Sequence, residues 1–149
     1  MNPTLDILLN RKSIRAFEKR DIEADVKTKI LEATLRAPTA GNMMLYSILD
    51  ITDQSIKNKL VKTCDDQPFI ARAPMVWVFI ADYQRWYDYF LLSGADTLSD
   101  EPMRKPEEGD LFLACSDTLI AAQNAVIAAE SFGLGSCYIG DIMEDYEIH

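Results

Sequence analysis

Arg11, Ser13 and Arg15 alternate along the stretch Arg11-Lys12-Ser13-Ile14-Arg15-Ala16-Phe17. In an extended segment every second side chain points the same way. Two guanidinium groups and a hydroxyl then share one face, and Ile14 takes the other. Such a fork suits a phosphate, because a guanidinium matches phosphate geometry with two parallel hydrogen bonds. Taken alone, the triplet reads more readily as a solvated basic strand, since Arg and Lys are common on surfaces. Two further elements change the balance. Ala37-Pro38-Thr39-Ala40-Gly41-Asn42 and Gly133-Leu134-Gly135-Ser136-Cys137-Tyr138-Ile139-Gly140 follow it in the same short chain.

Side chains able to carry acid–base or nucleophilic chemistry by themselves are scarce. The only histidine is His149, the last residue. A Ser-His-acid triad or a Cys-His pair needs a firmly held imidazole, and a chain-terminal one is a poor candidate. A zinc site needs several Cys or His ligands, which the sequence lacks. Glu144, Asp145 and Glu147 read as a solvated helix face, and Asp65-Asp66 is too little for a hard-cation site. Gly133-Leu134-Gly135 follows a helix and precedes a strand, the reverse of the dinucleotide-binding order. A bound cofactor would fill this gap, because it brings the hard chemistry with it.

The composition narrows the class. At 149 residues, 48% of them hydrophobic, the chain reads as one domain with a real core. Its formal charge is −9, from 24 acidic and 15 basic side chains. A general nucleic-acid binder would be basic, so nucleic acid is not an expected partner. Cys64, Cys115 and Cys137 form no CxxC pair, and Met1 to Asn10 does not read as a signal peptide. A reducing cytoplasm is the simplest compartment. Cys137 reads as a small buried thiol rather than a redox group. No membrane span is expected, since the longest weakly polar stretch, Leu111 to Ala129, carries Asp117, Gln123 and Asn124.

The elements that would position the motifs are legible in outline. Asn2-Pro3 predicts a helix cap, with a helix to Leu9. The basic stretch follows as a strand. Val26, Ile30, Ala33, Leu35 and Ala37 mark an amphipathic helix from about Glu23, stopped by Pro38. Tyr46 to Ile51 reads as a strand, and Asp53 caps a helix through Leu60. Met75 to Ala81 is continuously apolar and suits a strand buried on both faces. Tyr83, Trp86, Tyr87 and Phe90 share one helical face and read as core. Ser93 to Glu108 reads as a loop. The longest helix starts near Asp110 and ends at Gly133. Apolar nearly all round, it is either the central helix or one that also meets a partner chain. Ser136 to Ile139 reads as a short strand, and Ile142 to Ile148 as a helix opened by Asp141. Strands interleaved with helices indicate a layered α/β or α+β domain.

In order and spacing, the three motifs resemble the nitroreductase family of FMN-dependent oxidoreductases, along almost the whole chain. The resemblance implies an α+β fold of layered α/β/α type, with a mainly antiparallel central sheet flanked by helices. It implies that Arg11, Lys12, Ser13 and Arg15 hold the phosphate and ribityl chain of FMN. Pro38, Thr39, Ala40 and Asn42 would meet the flavin ring from the partner subunit of a homodimer, and Tyr138, Ile139 and Gly140 would offer backbone groups near its reactive edge. Gln67 is a further ring-contact candidate. The family often carries a Gln-Pro-Trp run where this chain has Met44, Leu45 and Tyr46, which removes one expected polar ring contact. The implied activity is electron transfer from NADH or NADPH through the flavin to a nitroaromatic, quinone or similar acceptor, with no catalytic side chain required. In this family a further strand and a basic arm normally follow the last helix, so residues 1–149 read as a C-terminally short single domain. The competing expectation is a nitroreductase-like dimerisation or scaffold module that binds flavin weakly or not at all.

Overall fold

The computed structural model describes residues 2–149. Asn2 caps α1 (Pro3–Asn10), its Oδ1 accepting from Thr4 N–H at 2.9 Å. An irregular extended segment then leads to α2 (Ala24–Leu35), which ends shortly before Pro38. A 3-10 turn at Ala40–Asn42 precedes β1 (Tyr46–Asp50). Asp53 caps α3 (Gln54–Thr63) by accepting from the Ser55 and Ile56 N–H groups. The one-turn α4 (Phe69–Arg72) leads into β2 (Trp77–Ala81) and α5 (Gln84–Leu92). A second 3-10 turn, Ala95–Leu98, opens the polar segment before α6 (Glu108–Ser131). The chain finishes with α7 (Asp141–Glu144) and a 3-10 turn at Tyr146–Ile148, so the expected last helix is split in two.

β1 and β2 pair antiparallel, with Tyr46 opposite Ala81 and Asp50 opposite Trp77. Their inner face presents Tyr46, Ile48, Trp77 and Phe79 to α2 and α6. Ile30, at 0% exposed, sits between these layers with Ala125 and Ala129. The antiparallel sheet and the long helix against it agree with the expected α+β class.

Several local expectations are corrected. Among the described residues the sheet has two strands, so β2 is not buried on both faces, and Ile80 on its outer face is exposed. Neither the basic stretch nor Ser136 to Ile139 forms a strand. A single parallel bridge, Ser13 to Ser136, is all that joins them in β fashion. The aromatic stripe of α5 is not core. No residue of that helix is buried, and Trp86, Tyr89 and Phe90 pack on one another with ring centroids 5.7–6.0 Å apart.

α6 begins where Asp110 accepts from the Glu107 N–H at 2.8 Å. It ends in a Schellman turn: Gly133 N–H donates to Glu130 C=O and Leu134 N–H to Ala129 C=O, with Gly133 at φ +74°. By length and composition it is apolar enough to cross a membrane. Here one side of it packs on α2 and both strands. The opposite side is open, leaving Phe112 at 71%, Leu119 at 59% and Ile120 at 41% exposed. The expectation of burial on several sides therefore holds for one side only within this chain.

The segment before α6 is tied down by Arg104. Its guanidinium grips the Asp110 carboxylate through both oxygens, at 2.6 and 2.7 Å, and reaches the Tyr83 hydroxyl at 3.4 Å. The Arg104 bonds, with the Glu107 N–H, hold the Asp110 carboxyl down at about 2. A carboxyl with a depressed pKa stabilises the folded form above its unfolded value and loses that contribution as pH falls through the folded one. Acid should therefore release this segment between about pH 4 and pH 2. Limited proteolysis of residues 99–107 across that range checks it, and Arg104→Ala should be equally cleavable at neutral pH.

Candidate functional site

The first and third motifs meet. Ile14 N–H donates to Ser136 C=O at 2.8 Å. Ile14 lies so close over Gly135 that a Cβ there would sit 2.6 Å from Ile14 Cγ1 and 3.0 Å from its Cβ. Beyond the bridge, Cys137 and Ile139 pack with Phe17 against Cys64, Phe69 and Ile70. Gln67 Nε2 donates to Cys64 C=O at 3.0 Å and to Asp141 Oδ2 at 2.9 Å. Gln67 thus stands beside the end of the third motif, with its Oε1 left to offer.

The basic side chains do not share one face as strand alternation predicts. Arg11, Ile14 and Phe17 turn inward, a period of three, while Lys12, Ser13 and Arg15 are exposed. The physical reason is that only Ser13 has a ladder partner, so nothing holds the flanking residues in a β pleat. The outcome for Arg11 is informative. Its Nη1 is buried and, among the described residues, has no hydrogen-bond partner. Among the described residues the ion pairs are Lys29–Asp25, Lys62–Asp66 and Arg104–Asp110, so Arg11, Lys12 and Arg15 have no carboxylate partner on a chain of charge −9. Buried guanidinium nitrogens are ordinarily paired. An unpaired one on a stretch that also carries the exposed Lys12, Ser13 and Arg15 fits an anionic, phosphate-bearing group. Tyr138 lies near Arg11. Partial burial pushes its phenol up, and the Arg11 charge offsets part of that rise. Its hydroxyl reaches Gln123 Oε1 at 3.3 Å.

The second motif lies elsewhere. Asp117, 3% exposed on α6, accepts from Ala40 N–H at 3.0 Å and Leu45 N–H at 3.3 Å. Trp86 Nε1 donates to Met43 C=O at 2.7 Å, and Arg85 Nη2 to Met44 C=O at 2.6 Å. Thr39 Oγ1 accepts from Met44 N–H at 3.2 Å. Pro38, Gly41 and Asn42 are left exposed, with Thr39 and Ala40 half-buried. Asp117 and Ala129, where the third motif leaves the helix, are about 18 Å apart along its axis. Among the described residues no hydrogen bond or core cluster joins this loop to the other two motifs. Sequence reasoning missed Asp117, Arg85 and Trp86 as the groups that shape the loop. For Asp117 the signal was present, as a carboxylate inside an apolar helix. Leu45 and Tyr46, at the positions of the family's Pro and Trp, are buried, and the Tyr46 hydroxyl has no partner among the described residues.

Cys64 and His149 do approach each other, Sγ to Nε2 at 3.9 Å. Burial pushes the Cys64 thiol up and Asp141 and Asp145 add to the rise, which leaves it a thiol rather than a nucleophilic thiolate.

The family model for the nitroreductase family matches residues 8–149. The chain belongs to the nitroreductase family. The FMN reductase (NADPH) of Bacillus subtilis is 31% identical over 148 residues, covering 99% of this chain and 57% of the relative. The oxygen-insensitive NADPH nitroreductase of Salmonella typhimurium is 32% identical, again over 99% of this chain and 57% of its own length. Among solved structures, the NADPH:FMN oxidoreductase from Vibrio harveyi complexed with NAD+ superposes with a TM-score of 0.82 at 30% identity, over 95% of this chain and 57% of that one. The chain therefore spans a little over half the length of these relatives.

The contact between Ile14 and Gly135 gives a direct test of how the first and third motifs are joined. Gly135→Ala forces a methyl into the root of the Ile14 side chain and should destabilise by about 1–3 kcal/mol. Thermal unfolding of the variant measures it, and Ile14→Ala in the same chain should recover part of the loss.

Proposed function

We propose that this chain works as an FMN-dependent oxidoreductase, taking electrons from NADPH or NADH and delivering them to a nitroaromatic, quinone or similar small acceptor. The observation that carries the reading is the buried, unpartnered Arg11 Nη1 among uncompensated basic groups, bridged to the third motif through Ser13 and Ser136. Arg11, Lys12, Ser13 and Arg15 would hold the FMN phosphate and ribityl chain. Tyr138, Ile139 and Gly140 would offer backbone groups to the ring, and Gln67 its free Oε1. The bound flavin supplies the redox chemistry. This chain's residues bind it, orient it and leave space for donor and acceptor. The names of the relatives, which pair FMN or flavin with NADPH, support the same donor and cofactor.

A homodimer is part of the proposal. Pro38, Thr39, Ala40 and Asn42 would serve the flavin of a second copy, which is consistent with their distance from Arg11 in their own chain. The open stripe of α6, with Leu5, Leu8 and Leu9 exposed on the neighbouring α1, is a surface such a dimer would cover. Ala125 does not belong to that surface, because it packs on Ile30 in the chain's own core. We place the protein in the cytoplasm, in keeping with three free cysteines.

Arg15 is exposed, so Arg15→Ala should leave folding intact while removing one charge-assisted contact worth about 1.5–3 kcal/mol. FMN affinity, followed by fluorescence quenching, should fall roughly ten- to a hundredfold. A colourless, dimeric native protein with no measurable affinity would instead favour the scaffold reading. The dimer has its own test. Leu119→Glu should sediment as a monomer at micromolar concentration and lose flavin with it, whereas a native chain that sediments as a flavin-bearing monomer would end the shared-site idea.

A further inference from the structure

The Thr39–Leu45 loop holds a shape its own sequence does not favour. Gly41, Asn42 and Met44 all have positive φ, at 56°, 56° and 52°. For Met44, a long side chain with a Cβ, that conformation is uncommon and needs outside support. The support comes from Asp117. Its two oxygens take one N–H from each end of the loop, Ala40 where the turn starts and Leu45 where β1 is about to begin. Asp117 is almost fully buried, and among the described residues no Lys or Arg pairs with it. If the loop moved away, a buried carboxylate would be stranded without donors. Arg85 and Trp86 fix the Met43 and Met44 carbonyls from the other side.

We infer that Asp117 is a positioning residue for the redox site: through Ala40 and Leu45 it sets the Thr39–Asn42 surface that one copy presents to the flavin of the other. The inference rests on the shared-site reading above. It makes Asp117 act in trans, on a flavin held by a different chain from its own. A carboxylate suits the task because both N–H groups need acceptors. Asn has the same shape but one acceptor oxygen, so one N–H would face an amide donor.

The test uses homodimers of Asp117→Asn and of Arg15→Ala, and mixed dimers carrying one of each, isolated with two affinity tags. FMN affinity and the number of tight sites per dimer are read by titration. The Asp117→Asn homodimer should stay dimeric and bind FMN at least tenfold more weakly. In the mixed dimer, one site joins the intact basic stretch of the Asp117→Asn chain to the intact loop of the Arg15→Ala chain. That dimer should therefore regain one site of native affinity. Native affinity in the Asp117→Asn homodimer would overturn the inference. So would two weak homodimers whose mixed dimer has no tight site, since Asp117 would then act only on its own chain's folding. If Asp117→Asn does not fold, Ala40→Pro deletes the same bond from the loop side, where the extended Thr39 before it accommodates a proline. It is read in the same mixed dimer by the same criteria. Native affinity in the Arg15→Ala homodimer would count against the phosphate reading instead, and the Asp117→Asn homodimer alone would then decide the positioning role.

Discussion

Ala114, Ala121, Ala122, Ala125 and Ala129 put almost nothing between the backbone of α6 and its neighbours, and α2 and both strands pack directly on that bare flank. The helix becomes a ruler as a result. The second motif is fixed at the level of Asp117, and the third leaves from the Schellman turn after Ala129. Their separation follows from the helix rise and leaves the chain no freedom to bring them together. A helix with larger side chains on that flank would push α2 and the sheet outward and lose the register with the loop. The small residues thus set where the second and third motifs stand.

Two kinds of buried polar group result from this packing, and they behave differently. Asp117 is satisfied by backbone N–H groups within its own chain, so its charge locks local shape. Arg11 is left unsatisfied, so its charge is available to something from outside. On a chain with a net charge of −9, basic groups left without a carboxylate partner are the exception.

Much of this was legible from residue types, and the failures have one origin. Caps and stops were readable because they are local chemistry: Asn2, Asp53 and Gly133 each do what their side chain, or its absence, dictates. The motifs were readable as motifs, and the first and third do meet. What local pattern could not supply was the number of ladder partners. Arg11 to Phe17 alternates like a strand but bonds through one bridge, so its side chains follow a period of three. Met75 to Ala81 is apolar enough for a central strand, yet its outer face is uncovered in this chain. The α5 aromatics have helical spacing without a core to face. In each case periodicity gave the element, and tertiary neighbours decided what the element was for.

The Trp86 indole bonded to Met43 has an optical consequence. The chain has two tryptophans, and the other, Trp77, lies on the inner sheet face against Phe79. Both are half-buried, but among the described residues only Trp86 has its indole N–H engaged, by the very loop that Asp117 holds. An indole that loses such a bond and gains water emits at longer wavelength. The colour of the protein's own near-ultraviolet emission therefore carries a readout of the loop's state, available without a label and before any flavin is added.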